Sequence, residues 1–358
     1  MNVRHSRHST KRKSTVNSSH HAERGEKIKR SLPIRLARGA MFIVAALAYL
    51  FVSTSLLLFH GPYQSLKNYF IQSLDTTMHG YLLKPLSLWT LPESEIDKYK
   101  PNLGIRGPSA LPTLVDYSNG TNGHSPTSIK METIHEPTFT AYVMFISPPT
   151  RVEVAVTKYI GVRGETVSEF VNDTGAIAGI NAGAFQDSHH WRGTGGIPLG
   201  ITMHNGQLVH NDPSQWNDDP TIGITNKGQL IVGSYTVQQL RQMGVTQSVA
   251  FGPVLIQNGK PVYGINTWGV APRTAIGQLR NGTMVFVVTD GRLVNGVNDL
   301  GASIAELRQL MLNLGCINAA NLDGGSSATM VYNGKLINTP TDVLGERAVA
   351  TAFVVMPN

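Results

Sequence analysis

The sequence predicts an α+β body of strand-rich mixed sheets with a few helices, preceded by one N-terminal transmembrane helix. Three observations lead to that class. Asn-Gly pairs stand between apolar segments at Asn205-Gly206, Asn258-Gly259, Asn281-Gly282 and Asn333-Gly334, and this dipeptide in that setting is a strong hairpin signal. Helical periodicity is confined to a few short stretches, the best being Glu165–Asn172, Val237–Met243 and Ser303–Leu314. Finally, Ala40 to Phe59 carries no charge over twenty residues, enough to span the hydrocarbon core of a bilayer.

Charge divides the chain sharply. Residues 1–38 hold eleven Lys or Arg against Glu23 and Glu26, a net of +9, while the other 320 hold 19 basic and 21 acidic side chains, a net of −2, which recovers the total of +7. The tail has few apolar residues and no periodicity, so disorder is expected there. The body is near neutral, which gives no footprint for nucleic acid. Arg30, Arg35 and Arg38 precede the apolar run, and the positive-inside rule then keeps the N-terminus cytoplasmic and exports the rest. A single-pass type II signal anchor is expected, because the run is longer than the apolar stretch of a cleaved signal peptide and no small-x-small cleavage site follows.

Segments follow in order: a basic tail at 1–38, the anchor in the bilayer at 39–60, a juxtamembrane helix and stalk at 61–127, and a body at 128–358. Leu66, Tyr69, Phe70 and Leu74 have helical spacing, whereas Leu91 to Pro126 turns to Pro, Gly, Ser and Asn, the composition of a linker. Within the body, Thr140–Ile146 and Val152–Val156 are expected strands around the turn at Pro148-Pro149. Ile304, Leu307, Leu310, Met311 and Leu314 share one face of the best helix. Cys316 is the only cysteine, so no intrachain disulfide forms and the exported body depends on its core, which suits a bacterial surface. Asn-x-Ser/Thr triplets at Asn119, Asn172 and Asn281 are common by chance and weak as glycosylation signals.

The chemistry gathers at strand ends. Cys316 to Leu322 reads as a buried strand that stops in Asp323-Gly324-Gly325-Ser326-Ser327. A carboxylate there, followed by glycines that let backbone N–H groups approach a ligand, suits a phosphate or a sugar; a tight turn capped by Asp323 is the plainer alternative. If Thr283–Thr289, the helix Ser303–Leu314 and Cys316–Leu322 form a strand–helix–strand unit, the two strands run parallel, and Asp290 and Asp323 stand at one edge. Asn181 closes a third such strand. Arg273 and Arg347 each precede an apolar strand; two guanidiniums beside strand-end acids and a glycine-rich turn suit an anion pocket with bidentate hydrogen bonding, and pairing with surface carboxylates is the plainer alternative. Asp187, His189 and His190 match no established ligand spacing, and His204 or His210 would have to fold back to complete a metal site. No metal and no cofactor are expected. Cys316, inside a strand, is expected to be inert core.

Taken in order, Asn181-Ala182-Gly183-Ala184-Phe185, Gly195-Gly196-Ile197-Pro198-Leu199-Gly200, Pro272-Arg273-Thr274-Ala275-Ile276-Gly277, Thr289-Asp290-Gly291-Arg292, Asn321-Leu322-Asp323-Gly324-Gly325-Ser326-Ser327 and Gly345-Glu346-Arg347 resemble the phosphodiester glycosidase family over about residues 130–357. Ala182 and Ser326 stand where relatives often carry glycine. The resemblance implies hydrolysis of a sugar joined through its anomeric oxygen to a phosphodiester. It implies Arg273 and Arg347 on the phosphate, and Asp323 or Asp290 as the carboxylate that activates water or supports the oxocarbenium-like centre. Glu346 is a reserve acid/base whose plainer role is a salt bridge to a neighbouring Arg. Asn181, Gly183, Thr274 and the Gly324-Gly325-Ser326-Ser327 turn would position sugar and phosphate. An ordinary glycosidase protonates a poor leaving group with one carboxylic acid and uses a second carboxylate against the sugar. A departing phosphate needs less help, and fixed donors can stabilise it. The expected partner is thus a sugar phosphodiester in a cell-surface glycan such as an exopolysaccharide or cell-wall polymer; the alternative is a non-catalytic module binding anionic cell-wall glycans.

Overall fold

The structure, a computed structural model, describes residues 19–62, 67, 71, 87, 89–96, 109–118, 128–186, 195–212, 220–263, 269–342 and 344–357. The chain divides into two units, Met1–Gln64 and Ser65–Asn358. In the first, one helix, α1 (Ser19–His60), runs without a break. It starts within the tail expected to be disordered, where Ala, Glu, Lys and Arg are all good helix formers continuous with the apolar run. Its segment Ile34–His60 spans 27 residues with a mean hydropathy of 2.3 in its most apolar window, long and apolar enough to cross a membrane. Most of the expected juxtamembrane helix and stalk lies outside the described residues.

Three antiparallel sheets make up the second unit, with strands numbered in chain order. The largest runs β1 (Ser128–Glu136), β2 (Phe139–Ser147), β13 (Met284–Thr289), β12 (Thr274–Leu279), β14 (Cys316–Leu322), β10 (Val254–Gln257) and β11 (Lys260–Pro261). The second is ordered β16 (Lys335–Leu336), β15 (Met330–Tyr332), β4 (Ala178–Asn181), β17 (Thr351–Val355) and β3 (Val152–Val156). The third is ordered β6 (Gln207–Asn211), β5 (Ile201–His204), β9 (Val245–Ala250), β7 (Thr221–Thr225) and β8 (Leu230–Gly233). All four Asn-Gly pairs connect paired strands or their extensions. Asn205, Asn258 and Asn333 have φ of 49°, 51° and 50°, each followed by a glycine at 71–78°, the two left-handed residues of a type I′ turn.

One core joins the sheets. Met144 and Ile146 of β2, Phe286 and Val288 of β13, Ile180 of β4, Phe353 of β17 and Ile222 of β7 belong to a single buried cluster. Phe286 and Phe353 meet with ring centroids 6.3 Å apart. The alternate residues of β13, Val285 and Val287, face the other way into a cluster with Ile304, Leu307 and Met311. Period-2 alternation therefore buries both faces of that strand, and each fully buried aliphatic side chain contributes roughly 1.5–3 kcal/mol. The helices lie outside the common core: α2 (Val167–Thr174) packs with residues of the second sheet, α3 (Val237–Gln242) with the third and α4 (Ile304–Asn313) with the first. Capping boxes start all three, at Thr166/Glu169, Thr236/Gln239 and Ser303/Glu306, and left-handed glycines follow at Gly175, Gly244 and Gly315.

β13 and β14 are each antiparallel to β12, so they run parallel to one another with one strand between them, and their C-terminal ends share an edge. The linker-like stretch Ser109–Tyr117 belongs to the second unit and packs on its other segments instead of standing free. Gln229 receives the Val115 N–H and donates to the Thr113 carbonyl. Tyr117 is buried, its ring filling the space beside Gly282.

Candidate active site at three strand ends

Asn181, the last residue of β4, ties the first and second sheets together. Its Nδ2 donates to the Asp323 carbonyl at 2.5 Å. Its Oδ1 accepts from Thr274 Oγ1 at 2.8 Å and from the Thr329 N–H at 3.1 Å. The Asp323 N–H donates back to the Ala182 carbonyl at 3.0 Å. Asn181 and Thr274 are both fully buried, so each serves as a brace for the end of β14, not as a surface open to substrate. Gly183 is a close-packing position: a Cβ there would stand 2.9 Å from Val249 Cβ, and its N–H donates to Thr351 Oγ1.

Past β14 the chain makes one short turn. Asp323 and Gly324 are half-buried, and Gly325, Ser326 and Ser327 are buried in a 3-10 turn. Gly324 lies so close to the backbone that a Cβ would fall 2.8 Å from the Pro272 carbonyl oxygen. Gly325 has a φ of 62°, and a Cβ on it would meet a terminal nitrogen of Arg292 at 2.8 Å. Arg292, itself left-handed at φ 55°, also donates to Thr341 Oγ1 at 3.4 Å. At the far end of the turn Arg347 donates to Ser327 Oγ at 3.3 Å, and its guanidinium sits 4.7 Å from the centre of the Phe185 ring. Asp323, Arg292 and Arg347 are all partly exposed. A half-buried carboxylate thus begins a glycine-serine turn that has one guanidinium against its middle and another at its end.

The remaining candidates lie differently. Arg273 is 4% exposed. Its Nε donates to the Ala302 carbonyl at 2.9 Å, and a terminal nitrogen donates to that of Gly269. Burial first, and then repulsion from Arg292, draw its guanidinium down to about 10. Its charge lies behind the turn, near Arg292. Asp290 shares the edge with Asp323, as the parallel arrangement of β13 and β14 requires, yet it is fully buried. Its Oδ2 accepts from Tyr142 OH at 2.8 Å and Asn295 Nδ2 at 2.7 Å, and its Oδ1 accepts from the Thr339 N–H at 2.9 Å. That environment pushes the Tyr142 hydroxyl well above the usual tyrosine range, by burial and then by its bond to Asp290. Glu346 points to the start of α2, accepting from Ser168 N–H at 3.0 Å and Ser168 Oγ at 2.5 Å. A carboxylate there meets the positive end of a helix, so it caps α2, and among the described residues it makes no ion pair with an arginine.

Arg292, Phe185 and Tyr142 went unassigned at the sequence level. Arg292 had a usable signal, a cation two residues after a strand-end carboxylate; nothing local marks Tyr142 or Phe185. Asp187, His189 and His190 lie outside the described residues. Among the described residues, no group of three or more His, Cys, Asp or Glu side chains could hold a metal ion. A shallow depression lined by Lys130, Glu132, Phe145, Leu279 and Thr283 lies at the opposite end of β2 and β13 from Asp290 and takes no part in this arrangement.

A family model described as phosphodiester glycosidase matches residues 174–356. The SPbeta prophage-derived uncharacterized protein YomE of Bacillus subtilis (strain 168) is 30% identical over 203 residues, covering 54% of this chain and 30% of that protein. N-acetylglucosamine-1-phosphodiester alpha-N-acetylglucosaminidase of Bos taurus is 27% identical over 199 residues, covering 50% of this chain and 36% of the bovine protein. The chain therefore spans about a third of the length of these relatives. Among solved structures, the catalytic domain of the zebrafish N-acetylglucosamine-1-phosphodiester alpha-N-acetylglucosaminidase, auto-inhibited by its pro-peptide, superposes with a TM-score of 0.52 at 21% identity. It covers 67% of this chain and 86% of the zebrafish chain, a likeness of fold.

Proposed function

We propose, from the premise that this chain belongs to the phosphodiester glycosidase family, that its second unit hydrolyses a sugar-1-phosphodiester and releases the sugar. The carrying observation is the turn Asp323–Ser327 with Arg292 against Gly325 and Arg347 at Ser327. Arg347 and Arg292 hold the phosphate, which leaves as an anion stabilised by guanidinium donors already in place. Arg273, held by carbonyls, adds positive potential from behind. Asp323 is the carboxylate that activates water or stabilises the developing oxocarbenium centre, because it is half-exposed where Asp290 is sealed. Asn181 and Thr274 act through Asp323 by fixing the end of β14, Asp290 braces the neighbouring loop, and Glu346 holds α2 beside Arg347. The names of the relatives favour an N-acetylglucosamine-like sugar, and Phe185 supplies an apolar ring at the edge of the turn.

The apolar stretch of α1, preceded by Arg30, Arg35 and Arg38, supports a signal anchor that leaves the hydrolase outside the cell. Its substrate would then be a phosphodiester-linked sugar of a surface polysaccharide or related glycan. The test is release of free sugar from a nitrophenyl-phosphate-linked N-acetylglucosamine by the purified chain. Asp323→Asn should abolish turnover while thermal unfolding stays unchanged. Full activity in that variant removes Asp323 from the mechanism, and binding of cell-wall polymer without release by the wild type would make the site a binding module.

A further inference from the structure

The loop between β13 and α4 contains a second pair of acids that the proposed reaction does not use. Asp299 is only 8% exposed, and its Oδ1 has no hydrogen-bond partner. Its Oδ2 accepts the Asn295 backbone N–H at 3.2 Å, and the Asn295 side-chain amide donates to Asp290 Oδ2 at 2.7 Å. One asparagine therefore holds both carboxylates. Among the described residues no Lys or Arg forms an ion pair with either. Two neighbouring buried carboxylates without a cation are costly.

We propose that the loop 290–301 binds a hard divalent cation, calcium by the character of its donors, between Asp290 and Asp299. Asp299 contributes Oδ1, and Asp290 contributes Oδ1, which accepts only the Thr339 N–H. The Asn295 amide oxygen, loop carbonyls and water complete an all-oxygen set. Calcium accepts six to eight such ligands in flexible geometry; zinc and copper favour nitrogen and sulfur donors, which this loop lacks. Residues 293–298 are exposed, so the ion reaches the acids from solvent. Arg292 lies in the same loop, and the ion would secure the segment that places its guanidinium against Gly325. The site itself does not depend on the hydrolase reading.

The test uses the full chain in detergent micelles, stripped with a chelator and titrated with terbium, whose emission Tyr142, bonded to Asp290, would sensitise. Saturable emission displaced by calcium, and not by equal magnesium, is expected. Asp299→Asn should weaken calcium binding by about tenfold or more. If that variant does not fold, Asn295→Ala, at an exposed position, should weaken it by about fivefold or more. Absence of displaceable emission in the wild type, or an unchanged calcium affinity in the folded variants, overturns the proposal whether or not the chain releases sugar.

Discussion

Replacing Asn181 probes the joint between the first and second sheets. Asn181→Ala removes three hydrogen bonds and leaves Thr274 Oγ1, the Thr329 N–H and the Asp323 carbonyl without that partner, all behind a side chain of zero exposure. At about 1 kcal/mol net per bond, with a further penalty for stranded buried groups, the loss is roughly 3–5 kcal/mol. For a domain of this size 1 kcal/mol is roughly 2–4 °C, so the midpoint should fall by roughly 6–20 °C. Asn181→Asp keeps an acceptor for Thr274 and Thr329 but sets a carboxylate oxygen against the Asp323 carbonyl. It should cost more than alanine at pH 7 and recover towards pH 4 as the new acid is protonated. Thr274→Val removes one donor and should cost about 1 kcal/mol. The assay is thermal unfolding followed by near-UV circular dichroism. An Asn181→Ala midpoint within 2 °C of wild type, or an aspartate variant as stable as wild type at pH 7, would refute the joint.

Gly325→Ala forces a Cβ into a left-handed position and against the Arg292 guanidinium; KM for a phosphodiester substrate should rise about tenfold or more by displacing Arg292, with a stability cost of only about 1–2 kcal/mol, whereas an unchanged KM would separate Arg292 from the phosphate. Cys316 is buried and its thiol is pushed up to about 12 by desolvation, so at pH 8 it should resist alkylation until urea unfolds the chain; rapid labelling of native protein would contradict its placement. The apolar segment Ile34–His60 should hold the chain in alkaline-washed membranes, and removing residues 1–60 should release it to the supernatant.

Local signals were legible wherever local physics decides. The type I′ turns at Asn205, Asn258 and Asn333 follow from a dipeptide, α2 and α4 lie within two residues of the stretches that helical periodicity marks, and β14 occupies Cys316–Leu322 as its apolar run indicates. The edge shared by Asp290 and Asp323 followed from chain direction alone. What residue type could not disclose is the destination of each side chain. Arg273 and Arg347 look alike in sequence, each heading towards a strand, yet one is sealed among carbonyls and the other stacks on Phe185. Asp290 and Asp323 likewise end parallel strands, but Tyr142 and Thr339, 148 and 49 positions from Asp290, close over only one of them. Glu346 turns to Ser168 because α2 begins there, a neighbour set by the second sheet rather than by spacing.

Strand β17 lies between β4 and β3 although it is the last strand along the chain. Until it arrives, β4 has an open side next to Asn181, and Ala182 and Gly183 lack the Thr351 groups that hold them. Such distant pairings form late because chain entropy must be lost first. A growing or truncated polypeptide would therefore display two raw β edges. The last strand of the chain is thus the piece that joins β3 to the rest of its sheet.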